Sequence, residues 1–327
     1  MDNIGLNVLS LFDGLSCGQI ALERAGIKVS NYFASEIDKP AMVVTKYNYP
    51  NTVHIGDVRK VSFKDGVLIT ENGTFEVGAI DLLLAGSPCQ GFSMAGKQLA
   101  FDDPRSSLYF EFERIKKDVN PSYWLLENVK MKQEHKDVIS SRIGVQPVAI
   151  NSKLVSAQNR YRLYWTNLDI QPLEDKGVSL VDILQEEVDE KYYIKAGRLQ
   201  WLKNFGEVKE REGYIAFNPE KAKCLTARGE PSWNCTYILQ WPRGTNKGGL
   251  RALDGKTPSL TTSSWPANNL LLDGECVRKL MPIECERLQT VPVGYTSCVS
   301  DSQRYKMLGN GWTVDVVAHI FKGIKEE

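Results

Sequence analysis

Short apolar runs alternate with amphipathic segments along the first half of the chain. Helical spacing of apolar residues at 18–25, 108–116 and 314–324 predicts amphipathic helices. The apolar runs predict strands buried on both faces, at 7–12, 29–34, 53–55, 80–85, 123–126 and 163–165. Strands and helices that alternate in this way favour a parallel sheet covered by helices on both sides. The pattern therefore predicts a doubly wound α/β domain.

The pattern changes near Val188, where periodic segments give way to a stretch rich in Gly, Asn, Thr, Trp and Pro. Helical spacing returns after Val277. We therefore predict a larger α/β domain formed by residues 1–187 and 280–327, and a smaller loop-rich domain at 188–279. Between 195 and 256, twelve basic residues stand against six acidic ones. This local excess of positive charge suits a partner that carries phosphates.

Composition narrows the class of protein without identifying it. The chain has 327 residues, 40 Lys plus Arg against 40 Asp plus Glu, and 42% hydrophobic residues. These values are typical of globular proteins and exclude a disordered or fibrous chain. The 7 Cys form no CxxC pair, which argues against a disulfide framework and a zinc site. No apolar run reaches the roughly 20 residues of a membrane span, so we expect a cytoplasmic protein.

The first candidate for ligand binding is the turn that follows the first predicted strand. Its sequence is Phe12-Asp13-Gly14-Leu15-Ser16-Cys17-Gly18. A glycine-bearing turn between a strand and a helix brings backbone N–H groups close to a ligand, and an acidic residue after the next strand can hold ribose hydroxyls. Glu36 has that position, and Asp57 is placed to meet an adenine amino group. A dinucleotide-binding fold and a plain tight turn remain open.

Cys89 is the candidate nucleophile. It lies in Gly86-Ser87-Pro88-Cys89-Gln90-Gly91-Phe92-Ser93, directly after a predicted strand, where open sheets bind their ligands. Pro88 restricts the backbone before the thiol and Gly91 loosens it afterwards, which suits a nucleophile that must approach and retreat. A free Cys that simply fills the core remains the alternative.

Two further polar positions come at the ends of predicted strands. Glu127 follows an apolar run, where a carboxylic acid is placed to give a proton to a ring nitrogen, although a helix cap by Asn128 would explain the same residues. Arg160 and Arg162 are two residues apart before the last predicted strand. Side chains at that spacing share a face and can clamp an anion or a carbonyl, unless they are a solvated surface pair.

Together these motifs resemble the DNA cytosine carbon-5 methyltransferase family over nearly the whole chain except about 190–275. The order and spacing of the motifs make the resemblance specific. The matching motifs are Ser10-Leu11-Phe12-Asp13-Gly14, Ala34-Ser35-Glu36, Gly56-Asp57-Val58, Pro88-Cys89-Gln90, Glu127-Asn128-Val129, Gln158-Asn159-Arg160-Tyr161-Arg162, Glu284-Cys285-Glu286-Arg287-Leu288-Gln289 and Leu308-Gly309-Asn310-Gly311. The stretch at 92–105 is more similar to bacterial restriction-modification enzymes, whereas 9–14 and 308–317 are closer to the vertebrate de novo branch.

The resemblance implies a Rossmann-like domain dependent on S-adenosylmethionine, a smaller target-recognition domain and no metal. It implies that Cys89 attacks carbon 6 of a flipped-out cytosine, that Glu127 protonates or hydrogen-bonds ring nitrogen 3, and that Arg162 holds the base carbonyl, with Arg160 steadying either that contact or the thiolate. The implied cofactor-binding residues are Phe12, Asp13, Gly14, Leu15, Cys17, Gly18, Glu36, Ile37, Asp57, Val58, Ser87, Pro88, Leu108, Asn310 and Trp312. The candidate DNA-binding residues are Gln90, Ser93, Lys97, Arg228, Asn234 and Arg243.

The expected partner is double-stranded DNA, bound by a monomer of bacterial or phage type, with a cognate restriction endonuclease if the protein belongs to a restriction-modification pair. Three alternatives stay open. A tRNA cytosine methyltransferase shares these motifs, but the segment between Arg162 and Glu284 is as long as a bacterial target-recognition region. A nicotinamide oxidoreductase would need a dinucleotide pocket. A DNA-binding module without catalytic activity would not depend on Cys89.

Overall fold

The computed structural model describes residues 5–87, 107–193, 237–240, 249–252, 256–260, 270–273 and 276–325. Its strands, in chain order, are β1 (Leu6–Leu11), β2 (Val29–Ser35), β3 (Val53–His54), β4 (Ser62–Lys64), β5 (Val67–Thr70), β6 (Gly73–Glu76), β7 (Leu82–Gly86), β8 (Tyr123–Val129), β9 (Val148–Asn151), β10 (Gln158–Asn159), β11 (Tyr161–Thr166), β12 (Tyr237–Gln240), β13 (Gly249–Ala252), β14 (Thr257–Pro258), β15 (Leu270–Asp273) and β16 (Cys276–Lys279). Its α-helices are α1 (Cys17–Ala25), α2 (Lys39–Asn48), α3 (Ser107–Val119), α4 (Gln133–Ile143), α5 (Pro282–Leu288), α6 (Asp301–Asn310) and α7 (Val314–Phe321).

Seven strands form the central sheet, in the order β3-β2-β1-β7-β8-β11-β9. The pairs from β3 through β8 are parallel, which confirms the predicted doubly wound α/β class. The strand β11 departs from an all-parallel sheet, because it is antiparallel to both β8 and β9. Periodicity predicts that a strand exists but contains no information on its direction, so the sequence did not reveal this inversion.

Both faces of the central sheet are buried. Alternate residues of β7 belong to different hydrophobic clusters, with Leu82 and Leu84 on one face and Leu83 on the other. Helices α1 and α7 contribute to the first cluster, and α3 and α4 to the second. Because a strand in such a sheet has no solvent-facing side, its sequence is a continuous apolar run. This explains why 80–85 was recognisable as a strand from its sequence.

Three smaller sheets accompany the central one. Strands β4, β5 and β6 form an antiparallel meander between β3 and β7, which the sequence pattern did not predict. Strands β13, β12, β15 and β16 form a four-stranded antiparallel sheet inside the segment predicted as the smaller domain. Strand β10 pairs with β14 and so joins the region before β11 to that segment.

A buried ion pair lies where the four-stranded sheet meets α5. Both guanidinium Nη atoms of Arg278 donate to the two carboxylate oxygens of Glu284, each at 2.9 Å. The side chains are only 2% and 0% exposed. The Glu284 carboxylate also accepts hydrogen bonds from the backbone N–H groups of Gln185 and Met281, at 2.9 and 2.6 Å. The Glu284 side chain thus joins the segment at Gln185 to the connection between β16 and α5.

Glu284→Ala is expected to lower the free energy of unfolding by about 3–5 kcal/mol, because it leaves the Arg278 charge buried without its carboxylate partner. Urea denaturation followed by circular dichroism measures the effect. The matched control is Glu186→Ala, at an exposed position, which should change stability by less than about 0.5 kcal/mol. A double variant, Arg278→Met with Glu284→Met, should recover part of the loss. A Glu284→Ala protein as stable as the control would contradict this account.

Candidate active site

The polar segments that follow parallel strands meet at one edge of the central sheet. The strand ends are level, since Leu11 is paired with both Ser35 and Ala85, and Gly86 is paired with Glu127. The chain continues from β1 to β2 on one side, whereas β7 lies on the other side of β1. Open α/β sheets bind ligands in the crevice that forms at such a switch in strand order.

The turn between β1 and α1 has an unusual backbone. Phe12, Gly14 and Ser16 have positive φ angles of 57°, 60° and 58°. Gly14 adopts this conformation without cost, whereas Phe12 and Ser16 are held in a region that L-residues rarely occupy. Strained backbone of this kind persists where surrounding contacts fix it, and it concentrates at ligand sites. The turn ends at Ser16, directly before α1 begins at Cys17.

Asp13 supplies the contacts that hold this turn. Its carboxylate accepts hydrogen bonds from the Tyr32 hydroxyl at 2.7 Å and from the Ser16 hydroxyl. Burial raises the pKa of Asp13 to about 6, the nearby Glu36 carboxylate raises it further, and the hydrogen bonds from hydroxyl groups oppose the shift. The side chain therefore braces the turn from inside the fold, between α1 and β2.

Asp13→Asn is expected to raise the free energy of unfolding at pH 7.5, by up to about 3 kcal/mol. The folded protein releases the Asp13 proton near pH 6, whereas the unfolded chain releases it near 3.8, so wild-type stability falls as the pH rises between these values. Above pH 6 the buried Asp13 carboxylate is charged, which lowers the free energy of unfolding of the wild type. The amide of the Asp13→Asn variant carries no charge and avoids this loss. Urea denaturation at pH 4, 5 and 7.5 measures the difference, which should shrink toward pH 4. The exposed Asp65→Asn serves as the control, and a pH-independent difference would refute the assignment.

Glu36 joins the turn after β1 to the turn after β2. Its Oε2 accepts a hydrogen bond from the Gly14 N–H at 2.8 Å, and its Oε1 accepts from the Ile37 and Asp38 N–H groups, both at 2.7 Å. The neighbouring Ile37 side chain is 67% exposed. An exposed apolar side chain beside an anchored carboxylate offers both a surface for a flat ring and an acceptor for hydroxyl groups.

Asp57 follows β3 and has a different set of partners. Its carboxylate accepts from the Arg59 N–H and side-chain Nε, each at 3.0 Å, and it forms an ion pair with the same guanidinium. These contacts hold the pKa of Asp57 below its usual value. Val58, the next residue, is buried in the hydrophobic cluster under the sheet edge. Asp57 therefore presents an anion at the third strand end.

Glu127 and Arg162 form the central pair of this edge. The Arg162 Nε lies 2.9 Å from Glu127 Oε1, and the two side chains are 15% and 11% exposed. Their closeness follows from the antiparallel pairing of β8 and β11, in which Arg162 is opposite Val129 and Tyr164 is opposite Glu127. Diagonal neighbours on one face of a sheet are within reach of long side chains. The sequence analysis gave the two residues separate roles, and the structure brings them together in one ion pair.

Ser87 and Asn128 connect β7 to β8 beside this pair. The Asn128 Nδ2 donates to Ser87 Oγ at 3.0 Å, and Asn128 Oδ1 accepts from the Val129 N–H at 2.8 Å. Both residues are buried. The amide of Asn128 therefore fixes the backbone that carries Glu127, and it also fixes the position at which the chain leaves β7.

Arg160 points away from the Glu127–Arg162 pair. Its Nη1 donates to the Leu260 carbonyl at 2.9 Å, and its Nη2 donates to the carbonyls of Gly309 and Gly311 at 3.2 and 2.9 Å. The side chain is 3% exposed. The spacing of two residues had predicted that Arg160 and Arg162 share a face, but Arg160 lies between β10 and β11, so strand periodicity does not apply there.

The sequence reasoning assigned no role to Gln158 and Gln289, which lie beside Arg160 in the interior. Gln158 Nε2 donates to Gln289 Oε1 at 3.3 Å, and Gln289 Nε2 donates to the carbonyls of Leu308 and Gly311 at 2.6 and 3.3 Å. Gln289 Oε1 also accepts from the Thr313 hydroxyl at 3.0 Å. Three motifs that are far apart in sequence are thereby joined. Both residues stand within motifs that carry the family resemblance, which was the available signal.

Trp312 forms one wall of the edge. A methyl group on Gly86 would lie 2.8 Å from the indole Nε1 of Trp312, so the end of β7 can approach the ring only because residue 86 is glycine. The Cys17 thiol lies 3.7 Å from the Trp312 carbonyl, and burial raises its pKa to about 12. Cys17 is therefore a neutral packing residue in this structure and not a reactive thiolate.

The remaining predicted cofactor residues have the following positions. Leu15 is buried, and its carbonyl accepts from the Tyr295 hydroxyl at 2.9 Å. Gly18 allows α1 to approach Tyr32 and Leu84, since an added methyl would lie 2.7 and 2.8 Å from them. Leu108 lies in the first turn of α3, and Asn310 is exposed at the end of α6. Pro88, Cys89, Gln90, Ser93, Lys97, Arg228, Asn234 and Arg243 lie outside the described residues.

In the part of the chain that the structure describes, no group of three or more His, Cys, Asp or Glu is arranged to hold a metal ion. Across the same ranges, no helix is long and apolar enough to cross a membrane.

Known proteins resemble this chain both in fold and in sequence. The fold is similar to that of the S. pombe Dnmt2 methyltransferase, with a TM-score of 0.61 and 18% identity, covering 97% of this chain and 97% of that one. The family model for C-5 cytosine-specific DNA methylase matches residues 6–326. The chain therefore belongs to the C-5 cytosine-specific DNA methylase family, and it is an enzyme of the DNA methyltransferase class, as the motifs predicted.

Curated relatives agree with this assignment. The type II methyltransferase M1.ScrFI of Lactococcus lactis subsp. cremoris is 29% identical, covering 98% of this chain and 78% of its own length. The type II methyltransferase M.NlaX of Neisseria lactamica is 29% identical, covering 97% of this chain and 96% of its own length. Family membership also argues against the nicotinamide oxidoreductase considered above.

Proposed function

We propose that the protein transfers a methyl group from S-adenosylmethionine to carbon 5 of a cytosine in a specific double-stranded DNA sequence, through a covalent adduct with Cys89. The observation that supports it most is the buried Glu127–Arg162 pair, placed beside Gly86 at the carboxyl edge of the sheet. Cys89 follows Gly86 by three residues. Three peptide units limit the distance between the two Cα atoms to about 11 Å, a span that is compatible with the proposed role of Cys89 beside the pair.

The described residues fit the cofactor. The first turn offers backbone N–H groups near the start of α1, the Glu36 carboxylate is placed for ribose hydroxyls, and Ile37 offers an apolar surface for adenine. Asp57 is placed to accept from the adenine amino group, and Trp312 forms the wall beside β7. When bound, S-adenosylmethionine supplies a methyl group activated by its positively charged sulfur.

The chemistry explains why a thiol and a carboxyl group are needed together. Carbon 5 of cytosine is a poor nucleophile, so the Cys89 thiolate first adds to carbon 6, which breaks the aromaticity and makes carbon 5 enamine-like. Glu127, as the carboxylic acid, donates a proton to ring nitrogen 3 as the carbon 6 bond forms, which neutralises the negative charge that the thiolate brings to the ring, and it takes the proton back when Cys89 leaves. Arg162 orients Glu127 and holds the base carbonyl. Carbon 5 takes the methyl group, loses its proton to water, and Cys89 is eliminated as the C5–C6 double bond re-forms.

We assign Arg160 a positioning role in this proposal. Arg160 directly precedes β11, the strand that carries Arg162. Its guanidinium donates to the carbonyls of Gly309 and Gly311, next to Trp312. Its loss would therefore disturb the base side and the cofactor side of the site together.

Carbon 6 of a stacked cytosine is inaccessible to a side chain, so the proposal includes extrusion of the target base from the duplex. Gln90, Ser93 and Lys97 would contact the DNA near the extruded base, and Arg228, Asn234 and Arg243 would read base edges. Because its relatives are named type II methyltransferases, a cognate restriction endonuclease is the expected genetic partner.

A covalent trap tests the proposal directly. The purified protein is incubated with S-adenosylmethionine and a pool of DNA duplexes that carry 5-fluorocytosine, because fluorine at carbon 5 cannot leave as a proton would. We expect a protein–DNA adduct that survives denaturing electrophoresis and maps to Cys89 by mass spectrometry. A folded protein that binds both S-adenosylhomocysteine and DNA but forms no adduct would overturn the proposed mechanism.

A parallel assay separates the DNA and tRNA alternatives. Labelled methyl transfer to duplex DNA and to tRNA is measured side by side, and bisulfite sequencing of DNA from expressing cells reveals the target sequence. Transfer to tRNA alone would retain the carbon 5 chemistry and overturn the proposed substrate.

A further inference from the structure

The meander of β4, β5 and β6 is firmly attached to the main fold. Leu68 of β5 is fully buried in the cluster that contains α3, and the Phe75 ring of β6 lies 5.6 Å from the Phe33 ring of β2. Because the body of the meander is packed in this way, the turn between β5 and β6 has a defined position. That turn consists of Glu71 and Asn72, and it lies against the segment that follows β3.

Both turn residues bind the segment after β3. Glu71 Oε1 accepts a hydrogen bond from the Asp57 N–H at 2.6 Å, and Glu71 Oε2 accepts from Lys60 Nζ at 2.5 Å. Asn72 Nδ2 donates to the His54 carbonyl at 3.0 Å. The turn thus holds the backbone at His54 and at Asp57, and the ion pair attaches it to the side chain of Lys60, which follows Asp57.

Gly56 shows how closely the two parts fit. Its φ angle is +80°, and a methyl group there would overlap the Glu71 carboxylate. The carboxylate therefore lies directly against the Gly56 Cα, and only glycine permits both the backbone conformation and this contact. The segment after β3 is then fixed on one side by Glu71 and on the other by the Asp57 side chain, which accepts from the Arg59 N–H at 3.0 Å.

We propose that Glu71 is a positioning residue for the cofactor, which fixes residues 56–58 so that the Asp57 carboxylate is presented to the adenine amino group. This inference rests on the proposed function, in which Asp57 accepts from adenine. Glu71 itself does not touch the cofactor. It acts on affinity by removing the freedom of the Asp57 backbone before binding, which lowers the entropy lost when the ligand is held.

Loss of Glu71 should leave the fold intact. Its side chain is 30% exposed and that of Lys60 is 62% exposed, and ion pairs at such positions contribute little to stability. The core of the meander, at Leu68 and Phe75, does not depend on the charge. An effect on ligand affinity can therefore be separated from an effect on folding by thermal denaturation of each variant.

Calorimetric titration with S-adenosylhomocysteine tests the proposal. Glu71→Ala should raise the dissociation constant about 3- to 10-fold, since one charge-assisted hydrogen bond to the Asp57 backbone is lost. Glu71→Gln should stay within about twofold of wild type, because its amide oxygen still accepts from the Asp57 N–H. The matched control is Glu76→Ala, which removes the same charge from the exposed end of β6, where Glu76 is opposite Val67 and away from the turn.

A double-mutant cycle tests whether Glu71 acts on cofactor affinity through Asp57. When Asp57 is already replaced by Ala, adding Glu71→Ala should change the dissociation constant by less than about twofold, because the group that Glu71 positions is gone. Equal losses in both backgrounds, or a wild-type affinity for Glu71→Ala, would overturn the positioning role. A wild-type protein that binds no S-adenosylhomocysteine at all would instead overturn the proposed cofactor.

Discussion

Cys89→Ser is expected to reduce methyl transfer by more than about 10⁴-fold, because in the proposed mechanism it removes the nucleophile and with it the covalent step on which the later steps depend. A serine hydroxyl is nearly the same size but is scarcely ionised at neutral pH, and no described residue suggests a base for it. Single-turnover transfer of labelled methyl to duplex DNA measures the effect. The variant should still bind S-adenosylhomocysteine and DNA, because Cys89 acts only in the bond-forming step.

The matched control is Cys298→Ser, at a free, half-buried cysteine that precedes α6. It should keep activity within about twofold of wild type, as expected for a surface substitution away from the site. If Cys89→Ser retained even one hundredth of the activity, the protein would not use a covalent adduct. A non-catalytic DNA-binding role would be indicated if neither the variant nor the wild type transferred methyl groups.

The central sheet was predictable because its strands are buried on both faces. Apolar runs such as 80–85 have no polar alternation, and strands with this pattern occur almost only in sheets covered by helices. The meander of β4 to β6 escaped prediction for the opposite reason, because its strands have three or four residues and many exposed positions. Strand direction at β11 was likewise absent from the pattern, since periodicity is the same for both orientations.

The location of the candidate site residues was predictable where it depends on their position along a strand. Glu36 and Asp57 follow strands and Glu127 lies near the end of β8, and parallel strands bring their carboxyl ends to one edge. Partners from distant segments were not predictable in this way. The carbonyls bound by Arg160 come from Leu260, Gly309 and Gly311, and Glu71 reaches Asp57 from the meander. Such contacts depend on how helices and strands pack against one another, and the local sequence does not predict that packing.

Arg162 and Arg160 show the same difference between a contact set by strand register and a contact set by packing between distant segments. Arg162 belongs to β11, so its register against β8 places it beside Glu127. Arg160 lies one residue before the strand, and its charge is surrounded by backbone carbonyls of the protein itself. A buried guanidinium needs several acceptors to offset its desolvation, and the carbonyls of Leu260 and of the C-terminal end of α6 supply them.

Glu127→Gln is expected to lower the rate of methyl transfer by about 10²–10⁴-fold, the usual contribution of a positioned acid or base. The amide has the same shape and can still accept a hydrogen bond from Arg162 Nε, so the geometry of the pair should persist. It cannot donate a proton to ring nitrogen 3, so the negative charge that the thiolate brings to the ring would not be neutralised. Single-turnover rates at saturating DNA and cofactor measure the loss at the chemical step.

Binding measurements decide whether the loss is chemical. The dissociation constants for DNA and S-adenosylhomocysteine should stay within a few-fold of wild type. The 5-fluorocytosine adduct should form much more slowly, since in the proposed mechanism Glu127 assists the addition of Cys89 to carbon 6. The control is Glu134→Gln, at a carboxylate that is 66% exposed beyond the end of β8. If Glu127→Gln weakened binding and left the rate at saturation unchanged, Glu127 would hold the base without taking part in the reaction, and the Arg162 pair would be a binding element alone.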